Sequence, residues 1–260
     1  MKEGLYDHFH ADEKIYVDRV LDWLVQSSDQ HKIILTEFLD PRQVQILLSL
    51  SNRYPDVQVK ADGGFPAAER KRVLLAPEYI DVESESSELT VLEVKLDNGM
   101  LFEADHGDFL GSVLGLGIKR DRIGDIHVHD RFAHIVVTQE IAVYLDTHLR
   151  QVHRHAVFTS ILPVDQLVPA VQEMQTVHIT VASMRLDGVA SDVYRLSRTK
   201  IMPPIRAGRC KVNWKPVEDP SHQLYAGDVV SMKGFGRFKV LEVDGVTKKG
   251  RIRVQVGTYL

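Results

Sequence analysis

Leu89-Thr90-Val91-Leu92-Glu93-Val94-Lys95-Leu96 alternates apolar and polar side chains over most of its length, the pattern of a β-strand with one face buried. Downstream, an apolar helix is expected over residues 108–116, followed by strands at 124–128 and 134–138. A second helix is expected over 140–152, where Ile141, Tyr144, Leu145 and Leu149 share one stripe, and a last strand at 157–162. The order is βαββαβ, the split-βαβ or ferredoxin-like plan. That plan hosts many functions, RNA recognition among them, and by itself selects none.

Upstream, Ile15, Val20, Leu21, Leu24 and Val25 recur near helical spacing, and a strand is expected at 33–38. Asp40 then stands as an N-cap with Pro41 at the first helical position, opening a helix that carries Val44, Leu47 and Leu48 toward Asn52. Val57 and Val59 alternate before the turn Asp62-Gly63-Gly64. The acidic, Ser-rich run Glu83-Ser84-Glu85-Ser86-Ser87-Glu88 reads as an exposed linker and sets the first boundary. After the βαββαβ segment a helical connector is expected, then two short helices near 184–194 and 197–207. Short strands follow at 211–213, 228–232, 238–243 and 251–256.

The whole is an α+β chain of three small domains, 1–85, 86–165 and 179–260, with residues 166–178 as the helical connector. At 260 residues and 44% apolar composition it has material for these cores. The net charge of -4 hides an asymmetry. From Val181 to Leu260 there are 15 Lys and Arg against 7 Asp and Glu, and before that 17 against 29. Such asymmetry points to a nucleic-acid-binding segment joined to something else. The polar N-terminus lacks the apolar core of a signal peptide, and no apolar run reaches membrane-spanning length, so a cytoplasmic protein is expected.

The basic segment holds Met184-Arg185-Leu186-Asp187, then Leu196-Ser197-Arg198-Thr199-Lys200, Ala207-Gly208, Lys211-Val212-Asn213, and Leu224-Tyr225-Ala226-Gly227-Asp228-Val229-Val230. These stretches, with Ala207-Gly208 and Lys211-Val212-Asn213 counted as one of four elements in this order, resemble the small RNA-binding domain named after ribosomal protein S-four. The residue types agree. Ser197 is placed to cap the second helix, so that Arg198, Lys200 and unpaired amides meet phosphate at its N-terminus. Pro203-Pro204 within that helix should kink it or end it early, which bears on the aim of Arg206. Lys211 and Lys215 flank Asn213, and Lys233 and Arg237 lie in a Gly-containing loop. The expected RNA contacts are therefore Arg185, Ser197, Arg198, Lys200, Arg206, Lys211, Asn213, Lys215, Lys233 and Arg237. A second contact is expected at the loop Lys119, Arg120 and Arg122.

Other chemistries find less support. Gly115 and Gly117 lack the third glycine of a dinucleotide fingerprint, since Arg120 stands there, and no phosphate-binding Gly-Lys-Ser/Thr occurs. Lys233-Gly234-Phe235-Gly236-Arg237-Phe238 nearly matches the aromatic RNA-recognition signature, but the inserted Arg237 puts Phe235 and Phe238 on opposite strand faces. Phe235 should be exposed and Phe238 core. His127 and His129, with Asp125, share a strand face, and His153 and His155 repeat the spacing. Nothing ties the two pairs into one metal site. Cys210, the single cysteine, has no base placed beside it and reads as an apolar filler.

Over its whole length the chain resembles the YlmH family of bacterial proteins. The resemblance is carried by the glycine-rich stretch 109–125 and the block 181–256, including Val212-Asn213-Trp214-Lys215 and Gly234-Phe235-Gly236-Arg237-Phe238. It implies a cytoplasmic, non-catalytic protein; a monomer without cofactor or metal is expected. Its expected partners are structured RNA, rRNA or tRNA, on the large ribosomal subunit, in quality control of stalled nascent chains. Two alternatives stand beside it: an RNA-modifying enzyme with an appended S-four domain, and a protein-interaction scaffold with an RNA-binding tail.

Overall fold

The computed structural model describes residues 6, 9–96, 103–171 and 174–259. The chain forms a mixed α/β structure of two compact units, one spanning Ala11–Ala170 and one built from Val171 onward together with the described residues up to His10.

The first unit opens with α1 (Lys14–Gln30), which buries Val17, Val20, Leu24 and Ser27 at helical spacing and stops at His31 in the left-handed conformation. α2 (Pro41–Ser51) starts as its sequence predicts. Asp40 and Gln43 form a reciprocal capping box, and Pro41 sets the entry angle. Both helices accompany a three-stranded sheet ordered β1 (Ile34–Leu35), β3 (Arg72–Pro77), β2 (Val57–Asp62). β3 is buried at every position, as a central strand should be. The expected strand at 33–38 is shorter than its pattern suggests, because only Ile34 and Leu35 pair in β3's register.

A five-stranded antiparallel sheet follows. β4 (Leu89–Leu96) lies at its centre, between β6 (Phe132–Thr138) and β8 (His155–Leu162). β5 (Ile123–Val128) forms one edge and β7 (Gln151–Val152) the other. One face carries Leu92, Val94 and Leu96 into a core with Phe109 and Val113 of α3 (His106–Gly115) and Ile141 and Leu145 of α4 (Gln139–His148). The helix expected to reach Val152 stops at His148. Leu149 leaves the helical region, and Gln151 and Val152 pair with Ala156 and His155 instead.

The two sheets of this unit share contacts. Phe38, Leu89 and Val136 pack together with Val164 and Leu167. The Arg70 guanidinium donates to the carbonyls of Phe38 (2.9 Å) and Ile123 (3.0 Å), and the buried Arg72 to those of Thr36 and Ser87.

The second unit is a six-stranded antiparallel sheet with two helices. Its strands are β9 (Met174–Val181), β10 (Cys210–Val212), β11 (Lys215–Pro216), β12 (Val229–Met232), β13 (Gly236–Val246) and β14 (Ile252–Tyr259), in the order β11-β10-β12-β13-β14-β9. α5 (Leu186–Val193) and α6 (Arg198–Arg206) cover one face, where Leu186, Val189, Ile201 and Ile205 meet Val230, Phe238, Val240 and Val256. Two expectations are corrected here. The connector is not helical over its described residues: a short turn at Val164–Gln166 gives way to non-helical chain at residues 167–171, and Met174–Val181 form β9, whose eight residues all pair with β14. The proline pair does not end α6 early either. Both prolines lie inside it, and their carbonyls accept the amides of Ala207 and Arg209, each at 3.0 Å. No helix among the described residues is long and apolar enough to cross a membrane.

Candidate nucleic-acid interface

Antiparallel register places Lys211 of β10 opposite Ser231 of β12, and Ser231 opposite Arg237 of β13. Directly opposed residues share a face, and the intervening Cys210, Val212, Met232 and Phe238 point into the core. Lys211, Ser231 and Arg237 therefore form a row on the face turned away from the helices. The Arg237 guanidinium sits 4.1 Å above the Tyr259 ring, which holds a flexible cation in place.

Beside this row the chain makes two tight reversals. Gly208, just after α6, has φ 67°, and Gly234, between β12 and β13, and Gly236, the first residue of β13, have φ 87° and 90°. Side chains rarely adopt these conformations. The two reversals are tied by the Lys233 amide donating to the Arg209 carbonyl at 3.0 Å. The result is an open cleft lined by Gly208, Arg209, Lys211, Lys233, Gly234 and Arg237. Four cations converge there beside bare glycine backbone, an arrangement suited to a phosphodiester chain. Arg209 is not among the contacts expected from sequence. Its signal is local: it follows a helix-ending Gly208 and precedes a strand, so its side chain emerges beside the turn.

The other expected residues divide. Lys200 and Arg206 are exposed on α6, and Lys215 is half-buried on β11. Arg198 lies against α5, its Nη2 3.1 Å from where a Gly188 Cβ would stand, in a separate small cleft that includes Arg251. Ser197 is the N-cap residue of α6, yet its hydroxyl bonds Thr199 Oγ1 at 2.9 Å and caps nothing. Arg185 is paired with Asp187 through two bonds of 3.1 and 2.9 Å, which hold the Asp187 carboxyl below the usual range. Asn213 is likewise committed. Its amide donates to Asp228 Oδ1 at 2.8 Å and its oxygen accepts the Val229 N–H at 2.9 Å.

The loop expected as a second RNA contact is largely internal. Arg120 donates to the carbonyls of Ile123 and Gly124, and burial, with Arg70 nearby, lowers it to about 10. Arg122 pairs with Glu37 at 3.2 Å and with Glu140. Lys119 alone of the three is exposed.

The histidines and the cysteine take other places. His134 Nδ1 accepts the Val168 amide (3.0 Å), His127 Nδ1 accepts the Ala170 amide (3.2 Å), and His129 Nε2 donates to the Val168 carbonyl (3.0 Å). Together they fasten the extended segment after β8 to the sheet. Asp125 accepts the Glu69 and Arg70 amides. Cys210 is fully buried, and burial pushes its thiol up to about 12.

Residues 12–80 match the family model "YlmH, N-terminal", and residues 83–166 match "Putative RNA-binding domain in YlmH". The chain is 37% identical over 251 residues, 96% of each chain, to a Bacillus subtilis (strain 168) protein named "Ribosome-associated protein quality control protein P2". It is also similar to a solved structure described as "Cell division protein ylmH from Streptococcus pneumoniae". That likeness has a TM-score of 0.55 and 25% identity, and covers 62% of this chain and 97% of the other.

Proposed function

The chain belongs to the YlmH family, and from that premise we propose that it is a non-catalytic, cytoplasmic, monomeric binder of structured RNA. Its ligand is rRNA or tRNA on the large ribosomal subunit, and its task lies in quality control of stalled nascent chains. The Bacillus subtilis relative, named for that process, supports the ribosomal setting. The observation that carries RNA binding is the cleft of Arg209, Lys211, Lys233 and Arg237 beside glycine backbone, within the segment that holds the positive excess. We read that unit as an S-four domain, and residues 86–165 as a ferredoxin-like domain, in keeping with the strand order β5-β6-β4-β8. Burial and the raised pKa of its thiol argue against Cys210 as a nucleophile.

Binding of labelled tRNA and of ribosomal RNA stem-loops to the full chain, measured across a salt series, tests this. Lys211→Ala with Lys233→Ala should weaken both and flatten the salt dependence. Unchanged affinity would remove the cleft from the reading.

A further inference from the structure

We infer that the open face of the five-stranded sheet is a stacking platform for unpaired nucleobases, built by Phe132 and Phe158 on either side of Lys95. The inference rests on the RNA-binding reading above and adds a second, single-stranded site to it.

Register fixes the placement. Lys95 of β4 is opposite Phe132 of β6 on one side and Phe158 of β8 on the other, so all three project from the same face. α3 and α4 cover the opposite face through Leu92, Val94 and Leu96. Phe38, Val164 and Leu167 close one end of this face over Leu89 and Val136, and the chain at Val168 and Ala170 crosses the next row, where their amides donate to His134 and His127. The row Phe132–Lys95–Phe158 lies toward the other end. Phe158 is 58% exposed, which is unusual for a phenylalanine in mid-strand. Phe132 is half-buried and stacked on His129, with 4.4 Å between ring centroids and 24° between planes.

The chemistry selects the occupant. Adjacent strands lie about 4.8 Å apart, so the two rings are separated by roughly twice that, with an ammonium-bearing chain between them. Aromatic rings on a sheet accept splayed bases, while paired bases offer them no free π face. The charge suits a polyanion. Glu93, the carboxylate on this face, meets Lys95 at 2.6 Å, Ser160 at 3.1 Å and His134 at 3.5 Å. It is 14% exposed against 55% for Lys95, so solvent meets the cation.

The test uses the full chain with two probes, a short fluorescein-labelled oligouridylate and a fully paired RNA hairpin. Phe158→Ala should weaken oligouridylate binding roughly tenfold, Phe158→Trp should keep it, and neither should alter hairpin binding. Ultraviolet crosslinks of the oligouridylate should map to β6 and β8. Equal affinity of Phe158→Ala and the unchanged chain for the oligouridylate, or crosslinks confined to the C-terminal unit, would overturn the inference. So would loss of a co-purifying protein in Phe158→Ala with RNA binding intact, since the platform would then take a protein. Failure of the C-terminal reading shows separately, as hairpin binding indifferent to Lys211→Ala with Lys233→Ala while oligouridylate binding still depends on Phe158.

Discussion

Asn213 and Trp214 form the two-residue turn between β10 and β11, with φ of 49° and 63°. Asparagine tolerates this conformation because its short polar side chain bonds locally, here to Asp228 and Val229. Asn213→Ala should therefore cost about 1 to 3 kcal/mol in a urea titration, whereas Lys211→Ala should stay within about 0.5 kcal/mol. A residue that touches RNA would show the reverse, weaker binding at unchanged stability. A pH titration tests His127 in the same way. Burial, followed by the neighbouring His129, His134 and His106, lowers it to about 4. Below about pH 6.5 the unfolded chain takes up a proton that the folded chain refuses, so stability falls as pH drops toward 4, by up to about 3 kcal/mol. His134, lowered chiefly by burial, adds in the same direction. Urea midpoints measured down this window should decline, and His127→Gln, which keeps an acceptor for the Ala170 amide, should decline less. At this scale the sequence reveals which residues are cationic. It does not reveal which cations are already paired, because the partners of Arg122, Glu37 and Glu140, lie far along the chain.

Elements with local punctuation are legible in the sequence. α2 announces itself by Asp40-Pro41, and β4 by alternation. Those defined by distant partners are not. β3 is an unbroken buried run with no period to read, and β9 reads as part of a helical connector although Val177, Ile179 and Val181 alternate. β9 exists because β14 offers a free edge, and all eight residues of β9 pair with it. A fragment beginning at residue 179 omits five of those positions and leaves β14 partly unpaired, a template for association. A fragment beginning at residue 171 should be monomeric by sedimentation and should melt higher than one beginning at 179. Equal melting temperatures would mean that β9 adds nothing to the unit. The same logic explains α6: its two prolines argue against a helix locally, yet Ile201 and Ile205 are fully buried in the core, and the helix runs on to Arg206.

Across the whole molecule, charge is the most legible property and the least specific. The excess of positive charge after Val181 attracts any polyanion, so the decisive question is whether affinity follows position or only total charge. The second unit offers three pairs that differ in setting and remove the same charge. Arg209 and Lys233 face the glycine-lined cleft. Arg198 and Lys200 stand at the start of α6, the first of them leaning on Gly188. Lys248 and Lys249 are exposed in the turn between β13 and β14, where Thr247 and Arg251 bond across the reversal. Replacing each pair by alanine removes two charges and should leave folding within about 0.5 kcal/mol per site. If the cleft seats phosphates, the Arg209 and Lys233 double variant should lower the salt slope of hairpin binding by roughly one unit for each phosphate it no longer engages. The Lys248 and Lys249 double variant should leave it unchanged, and the α6 pair should fall between, because Arg198 is partly held by α5. Three equal reductions would show that the domain acts as a diffuse cation, and the cleft would then owe its residues to the turns that build it rather than to RNA.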